Sequence, residues 1–190
     1  MFLTRDRGKK RGVAKNARQS RRRFGGALEP MTCGRVSYVE RERRELVFLN
    51  YVEPTRSPLS AADGDALGYM EYFAELIDEW AQEADPNEML FRLGASMVEA
   101  IAAGAPVDPL ARYFEYWLLR LQGVYAPDPR ASSEALAFLA AARRFSPLAL
   151  AGVPAPREVM RELEASHREL ITMHLEKELR SVKVLREMRR

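Results

Sequence analysis

The spacing of hydrophobic residues changes once along this chain. Before residue 53 they fall in short runs rich in β-branched and aromatic side chains: FLT (2–4), RGVAKN (11–16), RVSYVE (35–40) and LVFLNYV (46–52). Such runs predict strands. In 35–40, Val36, Tyr38 and Glu40 share one face and Arg35, Ser37 and Val39 the other, as in a pleated strand. DRGKK (6–10) has the glycine and polar content of a hairpin tip, and RERRE (41–45) is a weaker version of it. Pairing consecutive strands gives an antiparallel sheet of about four strands, marginal unless it closes or packs on something else. EPTRSP (53–58), with its two prolines, marks the boundary.

Beyond it the period is helical. Leu67, Met70, Phe73, Leu76, Ile77 and Trp80 recur at spacings of three and four, and Asp85–Pro86 ends that helix. Met89, Leu90, Leu93, Met97 and Ile101 form a second stripe, stopped near Gly104 and Pro106. Leu110, Tyr113, Phe114, Trp117, Leu118 and Leu121 form a third, the cleanest of the set. After the loop YAPDP (125–129), Leu136, Leu139 and the alanines between them predict a fourth helix that ends around FSP (145–147). A last long helix begins near Pro156 and carries Met160, Leu163, Leu170, Ile171 and Leu175. The expected class is α+β in two domains, a small β domain over 1–56 and a helical domain over 57–190.

Composition adds bounds. The 190 residues are 47% hydrophobic and 30% charged, which reads as a soluble globular protein with a real core. No apolar run approaches the ~20 residues that span a bilayer, and MFLTRDRGKKRG is no secretory signal, so no membrane partner is expected and the cytoplasm is the default address. Cys33 is the single cysteine, leaving no internal disulfide and no cysteine-based zinc site. His167 and His174 stand seven apart without a further ligand at helical spacing; both read as ordinary core or surface histidines, and no metal or cofactor is expected. Nucleophile elbow, phosphate-binding glycine loop and HExxH motifs are absent, and the carboxylates are spread along helix exteriors, so the chain does not read as an enzyme.

Charge is unevenly placed. Residues 1–35 hold eleven Lys/Arg against Asp6 and Glu29, a net +9, whereas residues 57–110 hold eleven Asp/Glu against Arg92, a net −10. A basic block attracts a polyanion and an acidic block beside it repels the same ligand, so together they orient it; the plain alternative is two solvated faces. The basic block is densest at KNARQSRRRFGG, where Lys15, Arg18, Arg21, Arg22 and Arg23 leave a strand end and cross a connector. A connector tethered at both ends loses less entropy on binding than a free tail. Three consecutive arginines cannot all be buried unpaired, and phosphate is the anion that rows of guanidinium suit best. With Arg7, Lys9, Lys10 and Arg11 of the preceding hairpin they form a candidate surface for polynucleotide backbone, without base-reading motifs. Asn16 falls where a left-handed backbone is tolerated. Lys177, Arg180 and Lys183 form either a second phosphate patch or a favourable pairing with the dipole of the last helix.

FLTRDRGKKRGVAKNARQSRRRFGGALEP, followed by RVSYVERERRELVFLNYVEP, resembles the N-terminal domain of the bacterial recombination mediator RecO family: a strand ending in threonine, a glycine hairpin, then AKGARR…LQP. LARYFEYWLLRLQGVYAPD is similar to that family's RxFExxLLxxLGYxPD helix, and HLEKELRSVKVL to its closing HLGxxLKSRxFL. The ordered set spans nearly the whole chain. The resemblance implies an OB-fold, here an incomplete barrel, followed by a helical bundle, and a non-enzymatic, nucleoid-associated role. It implies binding of single- and double-stranded DNA, strand annealing, recognition of the acidic C-terminal tail of single-stranded DNA-binding protein, and cooperation with RecR in loading RecA. The family captures that tail in a hydrophobic pocket flanked by arginine, which puts Arg112, Phe114, Trp117 and Arg120 forward; the plain alternative for the aromatics is core, and for the arginines ordinary exposure.

Three departures accompany the resemblance. Family members carry a first barrel strand ahead of the point where this chain opens, so an upstream start, or a partner that supplies the strand, is expected. Many relatives have four zinc-binding cysteines after the LGYxPD helix, and this chain has none there. Asn16 replaces a usual glycine. Two other readings remain beside the mediator: a protein–protein adaptor working through its acidic face, and a general RNA-binding OB module.

Overall fold

The computed structural model describes residues 1–42, 45–60 and 64–188, apart from the side chains of Arg18, Arg21, Arg22 and Ser60. Four strands, β1 (Phe2–Thr4), β2 (Gly8–Val13), β3 (Cys33–Val39) and β4 (Leu46–Arg56), form one sheet in the order β1-β2-β4-β3. The β1–β2 turn is closed by the Thr4 hydroxyl, which donates to the Gly8 carbonyl at 2.9 Å and accepts from the Arg7 N–H at 2.9 Å. β3 and β4 pair antiparallel, but β2 and β4 run parallel, with Arg11 opposite Leu46 and Val13 opposite Phe48. The sequential antiparallel pairing expected from the sequence is corrected here. A parallel pair needs a long crossover, and residues 14–45, which carry β3, supply it.

Strand ends also differ from expectation. β2 starts at Gly8 and stops at Val13, and the chain leaves it through Asn16 in a left-handed conformation (φ 58°). β4 runs on through Pro54, beyond the part that β2 reaches, where a missing ladder donor is tolerated. The sheet is strongly curled. β1 and β3 are its outermost strands, yet the rings of Phe2 and Tyr38 lie 5.5 Å apart, far closer than flat strands at ~4.8 Å spacing allow. Inside the curl, a Cβ at Gly12 would meet Val47 at 3.2 Å and Leu49 at 3.3 Å. This is an OB-like, partly open barrel.

The helices are α2 (Gly64–Trp80), α3 (Glu88–Ala102), α4 (Val107–Leu121), α5 (Ser133–Arg144), the single turn α6 (Pro147–Leu150), α7 (Arg157–Leu175) and α8 (Arg180–Met188); α1 (Arg21–Phe24) lies between β2 and β3. Capping is legible in the chain: Asn87, Ser132 and Ser146 accept from the N–H groups of Leu90, Ala135 and Ala149. α4 is central, with Leu110, Phe114 and Leu118 fully buried and the Phe114 ring 4.7 Å from Phe73 of α2. Leu67, Met89 and Leu136, assigned to apolar stripes, are exposed; in α5 Leu139 is buried as expected, joined by Ala135, Phe138 and Ala142. The last long helix is found as α7 and ends at a left-handed Glu176 (φ 54°); a further helix, α8, folds back onto α2.

Helix α2 stops at Trp80, short of the expected Asp85–Pro86, because the following segment meets the sheet. Lys9 donates its N–H to Gln82 O (3.1 Å) and accepts from the Ala84 N–H (3.3 Å). Gly8, at φ 66°, lies so close that an added Cβ would come within 2.5 Å of the Asp85 backbone. Gly8→Ala therefore meets a left-handed penalty and a backbone clash together, and is expected to cost about 2–4 kcal/mol. A urea midpoint unchanged from wild type would show that this junction yields.

Candidate nucleic-acid interface

The basic connector is folded rather than irregular. A 3₁₀ turn at Ala17–Gln19 leads into α1, and the N–H groups of Ser20 and Phe24 close it onto Asn16 and Ser20, each at 3.1 Å. Phe24 and Ala27 are its buried anchors, and α1 packs on β4. Arg21, Arg22 and Arg23 thus sit about 100° apart around one helical turn, with Phe24 taking the inward direction. The side chains of Arg18, Arg21 and Arg22 lie outside the described set. Arg23 is a strut: its Nε donates to Ser20 Oγ (3.1 Å), its Nη2 to the Lys15 carbonyl (2.6 Å), and its guanidinium lies 4.9 Å from the Phe24 ring centre. Lys15 is exposed and its ammonium sits 5.2 Å over the Phe48 ring; the exposed Arg41, from the β3–β4 connection, sits 5.1 Å over the same ring. Sequence reasoning passed over Phe48 and Arg41. The available signal was an aromatic on a strand whose ladder neighbours lie next to cationic segments.

The other hairpin cations are mostly engaged. Lys9 is corrected outright: it is 6% exposed and its Nζ donates to the Asp78 carbonyl (2.6 Å) and carboxylate (3.2 Å), tying the sheet to α2. Lys10 is largely covered and pairs with Glu40 at 2.7 Å, and this bond holds the Glu40 carboxyl below its ordinary range. Arg11 pairs with Glu83 at 2.8 Å, and Arg7 remains exposed beside Asp6. Lys177 pairs with Glu79 at 2.7 Å, while Arg180 and Lys183 are exposed on α8. The acidic block is therefore in part a set of internal ties, through Asp78, Glu79 and Glu83, as well as a solvated face.

Glu75 of α2 docks α8 by capping it, accepting from the N–H groups of Arg180 (3.0 Å) and Ser181 (2.8 Å) and from the Ser181 hydroxyl (2.5 Å). Burial alone would push the Glu75 carboxyl up; the bonds from Ser181 and Arg180 outweigh it and hold the group below its usual range. A depressed carboxyl contributes stability that is present above its unfolded value and lost as pH falls through its folded one. Amide exchange across residues 180–188 is thus expected to speed up, relative to α4, as pH drops below the carboxylate range, and Glu75→Gln should abolish that pH dependence. An identical response in the variant would assign the effect elsewhere.

The four residues put forward for a partner tail do not share a surface. Phe114 is core, and Arg112, 2% exposed, is locked inside α4 with its Nη2 3.1 Å from Glu115 Oε1. That carboxylate also accepts from the Tyr72 hydroxyl at 2.8 Å and faces His167 Nδ1 at 3.0 Å. An arginine on a mostly apolar helix reads as exposed, and only the buried glutamate three residues on reverses this. Trp117 and Arg120 do reach the outside: the indole donates to the Ala142 carbonyl (3.0 Å), and the exposed guanidinium lies 5.6 Å and 5.9 Å from the Tyr116 and Trp117 ring centres.

Among the described residues no helix is long and apolar enough to cross a membrane, and no three His, Cys, Asp or Glu side chains converge as metal ligands. A curled OB-like sheet with cations at its connector, carried on a helical domain, defines the class. Residues 1–58 match the family described as Recombination protein O N terminal and residues 61–128 match Recombination protein O C terminal. The chain belongs to the recombination protein O (RecO) family. It is 44% identical over 128 residues to DNA repair protein RecO of Koribacter versatilis (strain Ellin345), covering 67% of this chain and 52% of that protein. It is 39% identical over 125 residues to DNA repair protein RecO of Anaeromyxobacter sp. (strain K), covering 65% and 49%. The same protein of Geobacter metallireducens is 39% identical over 117 residues, covering 61% and 47%. The chain spans about half the length of the curated relatives it matches.

Proposed function

We propose that this chain is a DNA-binding mediator of repair and recombination, working without catalysis. It holds single- and double-stranded DNA by phosphate contacts from Lys15, Arg18, Arg21, Arg22 and Arg23, with Arg7, Arg11 and Arg41 at the margins and Arg180 and Lys183 as a second patch. Annealing follows from that chemistry: neutralising two backbones on one surface removes the repulsion between complementary strands. The mediator role extends to partners, namely the acidic tail of single-stranded DNA-binding protein, met at Trp117 and Arg120, and RecR, acting toward RecA loading in the cytoplasm. Residues 1–56 serve as the DNA-binding unit and 57–190 as the partner-binding unit.

The observation that carries this reading is the folded connector. Arg23 bonded to the Lys15 carbonyl at 2.6 Å, and Phe24 buried beside it, fix the backbone that carries the run of cations at a sheet rim. The names of the relatives, DNA repair protein RecO, support it. Titrating an oligonucleotide at several salt concentrations tests it. Engaging about five phosphates gives a log–log slope near −3.5 on single strands, and a flat response would retire the reading. Tighter binding to RNA than to DNA of equal sequence would favour a general RNA module.

A further inference from the structure

We propose that Phe48 is a stacking seat for an unpaired DNA base, with Lys15 and Arg41 as the cations that hold its ring in the unbound protein and take the flanking phosphates when a base arrives. This rests on the DNA-binding reading above and adds to it a means of telling single strands from duplex.

Along β4 the side chains alternate. Val47 and Leu49 face the interior of the curl, where they crowd the position of a Cβ at Gly12, so Phe48 between them projects from the opposite, outer face. Its ladder neighbours are Val13 on β2 and Val39 on β3. Val39 and Leu46 are exposed, at 45% and 44%, and Phe48 is half-buried among them. The result is an apolar ledge with an aromatic at its centre and cations at its rim. Lys15 reaches the ring from the end of β2 and Arg41 from the β3–β4 connection, at 5.2 Å and 5.1 Å. Among the described residues neither Lys15 nor Arg41 is in an ion pair, and the Glu40 carboxylate, next to Arg41 in the chain, is paired with Lys10 at 2.7 Å. An approaching backbone thus meets cations whose charge is not cancelled locally.

An occupant of this ledge must offer a flat π-face and negative charge on both sides of it. An unpaired nucleotide does so. Base–aromatic stacking is worth more than a cation–π contact at an exposed site, so exchanging a cation for a base at the ring is favourable, and the displaced cation gains a phosphate. Duplex bases are already stacked on one another and cannot use the seat. The Arg23 bond to the Lys15 carbonyl fixes the backbone from which Lys15 reaches.

The test compares wild type, Phe48→Leu and Phe48→Trp in binding a fluorescein-labelled oligo-dT strand and a duplex of equal length, each against salt. Phe48→Leu is expected to weaken strand binding about 5- to 150-fold, leaving duplex affinity and the salt slope unchanged, and Phe48→Trp should restore strand binding. Equal strand affinity in Phe48→Leu, or an equal loss for strand and duplex, would overturn the proposal. Should Phe48→Leu fail to fold by circular dichroism, Phe48→Trp still decides: its added indole emission must be quenched by oligo-dT and spared by duplex, and no quenching overturns it. Wild type that binds neither oligonucleotide would retire the DNA reading itself, an outcome distinct from tight binding that ignores Phe48.

Discussion

Replacing Glu115 by alanine is expected to lower the unfolding free energy by about 3–5 kcal/mol, because it strands a buried guanidinium without its counter-charge. Glu115 and Arg112 are each 2% exposed and meet at 3.1 Å. Burial works against the Arg112 charge, and Glu115, with smaller help from Tyr72, Tyr69 and Glu164, outweighs it. The same carboxylate orders its neighbours. Burial first, and Glu115 second, push the Tyr72 hydroxyl far above its ordinary value, so it stays protonated and donates. An ionised carboxylate only accepts, so His167 Nδ1 carries the hydrogen that faces it. Removing Glu115 therefore also leaves Tyr72 and His167 without their partner, on two other helices.

The mechanism is separable from simple loss of contacts. Arg112→Met combined with Glu115→Leu removes both charges and keeps volume, and should be appreciably more stable than Glu115→Ala alone. Urea denaturation with unchanged m-values reads both. If the double variant is no more stable than the single one, the uncompensated guanidinium is not the cause.

The second large effect concerns binding. Lys15→Gln/Arg21→Gln/Arg22→Gln should flatten the single-strand salt slope by about 2 and weaken binding about 100-fold at 0.1 M salt, the sum of three lost phosphate contacts. Arg23 is left in place because it braces Lys15 and Ser20, so the variant should unfold at the wild-type urea midpoint. Lys9→Gln is the contrasting substitution. Its ammonium is bound to Asp78, so it should lower stability and leave the salt slope alone. Equal slopes in wild type and the triple variant would remove the connector from the interface.

Period and punctuation made much of this fold legible in the chain. The strand at 2–4, the capped starts of α3 and α5, and the α4 stripe of Leu110, Phe114 and Leu118 all follow from local rules. Asn16 was legible as well, because few residues other than glycine adopt a left-handed backbone cheaply. Side-chain charge was less readable. Lys9 and Arg112 each look like an ordinary surface cation in sequence, but their carboxylate partners differ in kind: Asp78 is distant along the chain, and Glu115 is three residues on yet buried.

Sequence alone was enough to establish a small basic β region followed by amphipathic helices, since hydrophobic period and charge density are properties of neighbouring residues. Which strands pair, how α8 returns onto α2, which cations remain in water, and the meeting of Lys15, Arg41 and Phe48 are set by contacts between residues far apart in the chain. Those contacts are selected by burial and by compensation of charge in the folded molecule, and neither has a local signature.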